Sequence, residues 1–75
     1  MTYAEMRNRL GDHGIHEDME WDAPAGTRTF RKVMMGLGTP GYYTLRYRGD
    51  TATVYPPTLA HIAATFHLPP EALAE

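Results

Sequence analysis

The segment GYYTLRYRGDTATVYPP, Gly41 to Pro57, constrains this chain most, because its two possible conformations lead to different molecules. Alternation makes it a β-hairpin over 42–55. Tyr43, Leu45 and Tyr47 line one face, RGD supplies the turn, and Thr51, Thr53, Val54 and Tyr55 return. The glycine at 49 and the leucines downstream make it instead a helix over Tyr42–Tyr47, a tight stop, and a loop into the next helix. Local propensity favours the strands, but tertiary context overrides propensity.

The rest of the chain narrows the setting. At 75 residues it is one domain, 1–75, and a domain of this size buries only about 60% of its unfolded surface. It has no cysteine, so neither a disulfide nor a thiolate metal site can stabilise it. Helix packing or a partner subunit must do so. No apolar run approaches the ~20 residues that span a bilayer, and MTYAEMRNRL lacks the apolar core of a secretory signal. The expectation is a cytoplasmic protein with no membrane contact. Net charge is −2, but the distribution is uneven. Residues 1–26 carry six acids against Arg7 and Arg9, whereas 27–50 carry Arg28, Arg31, Lys32, Arg46 and Arg48 against Asp50 alone. An anionic partner should meet that basic middle, unless the acidic and basic segments simply pair with each other.

Several elements are marked at their ends. Thr2 and Glu5 have capping-box spacing, Tyr3, Met6 and Leu10 share a helical face, and Gly11 suits the left-handed stop. Residues 12–26 form an acidic loop, long enough to hold a function or a short extra strand. In TRTFRKVMMGLG, Phe30, Val33, Met34 and Leu37 follow the helical rule, and Gly36 and Gly38 end the run; a strand is the rival. PPTLAHIAATF opens with prolines where a helix tolerates them and buries Leu59, Ile62, Ala63 and Phe66, and HLPPEALAE adds a short terminal helix, giving a helix pair over 57–75.

PPTLAHIAATFHLPPEAL resembles the closing two helices of XRE-type (Cro- and phage-repressor-like) helix-turn-helix domains, in Gly49, Pro57, Leu59, Ile62-Ala63, Phe66, Leu68, Glu71 and Leu73. YYT at Tyr42–Thr44 is similar to the recognition helix of one branch, and FRKVMMGLGTP to the first motif helix and its turn, so the likeness covers roughly residues 29–75. It implies a mostly α fold of about five short helices, with a helix-turn-helix at 29–49. The alternative is an α+β fold with the central hairpin at 42–55.

The resemblance implies a small sequence-specific transcriptional regulator that binds double-stranded DNA as a homodimer, because one short helix reads few bases. Thr39, Tyr42, Tyr43 and Arg46 would face base edges, with Arg46 able to bond guanine twice. Arg28, Arg31, Lys32 and Arg48 would hold phosphates, which gives affinity without sequence choice. If the segment is a hairpin, the same tyrosines and arginines decorate a sheet, and Tyr and Arg dominate protein-binding surfaces. The function is then that of a small inhibitor or adaptor, of the kind a phage encodes against a defence complex.

Other chemistry is poorly supported. HGIHE offers His13, His16 and Glu17 as zinc ligands only if His61 or His67 folds over them, and a solvated loop is the simpler account. The chain has no Ser or Cys and no framed carboxylate pair, so we expect no enzyme, metal or cofactor. GLGTPG lacks the Lys-Ser/Thr of a phosphate loop, and RGD is a chance tripeptide.

Overall fold

The computed structural model describes residues 1–18, 24–32 and 41–74. In chain order these form α1 (Tyr3–Asp12), β1 (Ile15–Glu17), β2 (Thr27–Lys32), β3 (Tyr42–Arg46), α2 (Pro56–Thr65) and a terminal 3₁₀ turn (Pro70–Leu73). The strands make one antiparallel sheet in the order β1-β2-β3. The fold is therefore α+β, and the mostly α arrangement expected from the sequence is not formed.

The helix-turn-helix expected at 29–49 fails at both of its described ends. Phe30 belongs to β2, whose Thr29 and Phe30 pair with Thr44 and Tyr43 of β3. Thr27, Thr29, Phe30, Tyr42, Tyr43 and Thr44 are β-branched or aromatic, and here the ladder agrees with propensity instead of overriding it. The helical stripe depended on Val33, Met34 and Leu37, which lie outside the described residues. The hairpin alternative at 42–55 had its first limb right and its partner wrong. Gly49, at φ +110°, turns the chain away from the sheet. Residues 50–54 then return to the N-terminus, where Tyr3 and Ala4 donate to the Ala52 and Asp50 carbonyls (2.9 and 3.0 Å) and Val54 donates to Met1 (2.7 Å). Two free N–H groups of the first turn of α1 are thereby satisfied by backbone.

α1 starts as its sequence requires, with the Thr2 hydroxyl accepting from Glu5 N–H at 3.2 Å. It ends later than expected. Gly11 stays helical, and the left-handed residue is Gly14, at φ +75°, which leads directly into β1. The acidic loop thus contains a short strand. Tyr3, Met6 and Leu10 of α1 join Ile15, Phe30, Leu59, Ile62, Phe66 and Leu73 in a single buried cluster. The two helices cover the sheet face that carries Ile15, Phe30, Tyr43 and Leu45. No helix among the described residues is long and apolar enough to cross a membrane.

α2 ends in a paired cap. Leu68 N–H donates to Ala63 (2.8 Å) and His67 N–H to Ala64 (3.2 Å), which forces His67 to φ +56°. Only glycine holds that conformation without strain, at a cost of roughly 1–2 kcal/mol for other residues. His67→Gly is expected to raise stability in denaturant unfolding, by roughly 0.5–1 kcal/mol after the entropy gained by the unfolded chain is subtracted. A lower stability would show that the imidazole makes a compensating contact.

Candidate partner-binding surface

The arginines divide into those used by the fold and those left on the surface. Glu17 points from β1 to the core side, its side chain only 13% exposed, and accepts from Arg28 at 2.8 Å and Arg7 at 3.4 Å. The Arg28 guanidinium lies 3.8 Å above the centre of the Tyr47 ring. Tyr47 donates its phenol to Asp50 at 2.7 Å, and Arg7 grips the same carboxylate with both terminal nitrogens at 3.2 and 3.4 Å. Asp50 is held below the ordinary carboxylate range, first by the Tyr47 hydrogen bond and then by Arg7. The same bond, with burial, pushes the Tyr47 phenol upward.

Tyr3 completes this cluster, packed edge-on to Tyr47 at 4.9 Å. Its buried hydroxyl makes no hydrogen bond of good geometry among the described residues. Burial raises its pKa steeply, and the neighbouring Glu17 charge adds to the effect. Arg31 pairs with Asp18 at 2.8 Å on the opposite sheet face, and Arg9 reaches the Ala74 carbonyl. Arg46 and Arg48 are exposed and make no ion pair among the described residues.

The residues expected to touch DNA are therefore dispersed. Thr39 lies outside the described residues. Arg28 is locked under Glu17 and Tyr47, Arg31 is paired, and Lys32 is half-buried at the end of β2. Tyr43 turns to the core side and shares a 3.1 Å hydrogen bond with His61 Nδ1, while burial raises its pKa. Tyr42, Arg46 and Arg48 remain together on the exposed side of β3, with Tyr42 47% exposed.

Exposure alternates from Gly41 to Asp50, with every even residue out. The HGIHE histidines and Glu17 do not converge, because His16 and Glu17 alternate across β1 and Glu17 is held by arginines. No group of three or more metal-ligating side chains occurs among the described residues.

Two concavities flank α2. One, of about 430 Å³, lies between α2 and the 3₁₀ turn and is lined, among the described residues, by prolines, leucines and alanines, whose side chains offer no polar group to orient a ligand. The other, of about 400 Å³, is an open trough between β3 and α2, lined by Tyr42, Tyr43, Thr44, His61 and Thr65. Sequence reasoning missed this trough. Its only signal was the strand alternation of YYTLR, combined with a histidine on the polar flank of the following helix. Comparison with known protein families, with characterised proteins and with solved structures finds no match for this chain.

Asp50 titrates below its unfolded value, so its bonds stabilise the fold above about pH 3.9 and are lost as the pH falls through the folded pKa. Asp50→Asn should melt at a lower temperature than wild type near neutral pH. The gap should narrow when the pH is lowered from neutral to well below about 3.9, as the wild-type carboxylate takes up its proton. A gap that stays constant between the two pH values would mean that Asp50 acts only through its shape.

Proposed function

We propose that this chain is a small protein-binding module, an inhibitor or adaptor, that engages an acidic partner through the exposed side of β3. The observation that carries this is the contrast between arginines. Arg7, Arg28 and Arg31 are neutralised within the fold, whereas Arg46 and Arg48 stand exposed beside Tyr42 with no ion pair among the described residues. Exposed Tyr and Arg side chains are the residues most often dominant in protein interfaces. Two exposed cations also favour an anionic partner and speed its approach. Reading of base pairs by a helix is not proposed, since the residues that would form that helix are a strand. The protein's net charge of −2 further disfavours a polyanion as large as duplex DNA.

Selection of a random-peptide display library on the immobilised protein tests this. Wild type should enrich acid-rich segments, and Arg46→Glu/Arg48→Glu should abolish the enrichment while leaving the circular dichroism spectrum unchanged. Enrichment indifferent to the charge reversal contradicts the proposal. So does tight, salt-sensitive binding of random-sequence duplex DNA with no acidic peptides enriched.

A further inference from the structure

Which way the backbone of β3 faces follows from its register. Lys32 N–H donates to Gly41 and Tyr47 N–H to Gly26, at 3.0 and 2.9 Å. In an antiparallel pair such bonded positions alternate, so residues 41, 43, 45 and 47 turn their N–H and C=O groups toward β2. Residues 42, 44 and 46 turn theirs away from it. β3 is the last strand of the sheet, and the Thr44 and Arg46 backbones make no hydrogen bond on that side among the described residues. The edge they form borders the trough whose far wall is His61 and Thr65 of α2.

We propose that this trough receives an extended, acidic segment of a partner protein, which adds to the sheet as a fourth strand alongside β3. This rests on the protein-binding reading above and specifies how binding occurs. Backbone groups of the incoming strand would satisfy those of Thr44 and Arg46. Its side chains would alternate. Those on the outer face meet Tyr42, Arg46 and Arg48, so that acids there neutralise the two exposed guanidinium groups. Those on the inner face enter the trough over the Tyr43–His61 pair, where an apolar side chain fits against the two rings, themselves 5.2 Å apart and edge-to-face. Arg46 and Arg48 also guard the edge against pairing with a second copy, since like charges on an edge strand oppose it.

An acetylated peptide of alternating glutamate and valine is the probe, with an alternating lysine–valine peptide as control. Saturating the full chain with the acidic peptide should slow hydrogen exchange at the Thr44 and Arg46 amides at least tenfold, and the lysine peptide should leave them unchanged. Thr44→Pro removes one edge donor at a position where an edge strand tolerates proline, and should weaken the acidic peptide about tenfold. Thr44→Val keeps the donor and should bind within about twofold of wild type.

Binding that needs Arg46 and Arg48 but leaves both amide rates unchanged overturns strand addition while the acidic-partner reading stands. Binding indifferent to Arg46→Glu/Arg48→Glu overturns that reading as well. Protection of the same amides by the protein alone, rising with its concentration, would assign the edge to a second copy and overturn the proposal. Should Thr44→Pro fail to fold, the wild-type exchange rates decide.

Discussion

Glu17 sits where three elements meet, and most of the polar architecture depends on it. Its carboxylate, nearly out of water, is held by Arg7 of α1 and Arg28 of β2 while its own backbone belongs to β1. A buried acid needs such partners, and removing any one leaves an uncompensated charge. The cluster then extends outward. Arg28 lies on the Tyr47 ring, Tyr47 bonds Asp50, and Asp50 binds Arg7. This closed circuit ties the exit of β3 to the first helix. It gives a chain without disulfides a cross-link of charge and hydrogen bonds, beside an apolar core drawn from all of its elements.

The same circuit determines what is left for binding. It consumes Arg28 on the core side of the sheet and leaves Arg46 and Arg48 on the opposite side of β3. The strand-period alternation that buries Leu45 and Tyr47 partly is what presents Tyr42, Thr44, Arg46 and Arg48 to solvent. An edge strand with open backbone groups invites pairing, and its side chains decide with what. Here they are cationic, which under the proposed function favours an acidic strand.

The helices were legible in the sequence because their signals are local. Thr2 caps α1, the Tyr3, Met6 and Leu10 stripe is buried, and Leu59, Ile62 and Ala63 face inward from α2 after the paired prolines. The sheet was harder, because a strand is defined by its partners. YYTLR carried the right propensity, yet nothing near it in sequence shows that it pairs with TRTFRK and not with TATVY. In TRTFRKVMMGLG a helical stripe and a strand alternation coexist, and the ladder assigns Thr27–Lys32 to a strand. The stop of α1 was misplaced for a related reason. Gly11 and Gly14 both permit a left-handed turn, and only the route into β1 selects Gly14. Asp50 within RGD carries no local signal of its role. Its role needs Arg7, which is 43 residues away in sequence.

The account turns on the register of β2 against β3, since a slip of one residue exchanges the buried and exposed faces and reverses which backbone groups reach the edge. The most direct measurement is the α-proton contact between Thr29 and Thr44 by nuclear Overhauser spectroscopy. These residues face each other without exchanging backbone hydrogen bonds, an arrangement that brings the Cα atoms to about 4.5 Å. A strong α-proton cross-peak between Thr29 and Thr44 is the result this account predicts. A cross-peak from Thr29 to Tyr43 or to Leu45 in its place, as a one-residue slip would give, or helical connectivities through Tyr42–Tyr47, would contradict it.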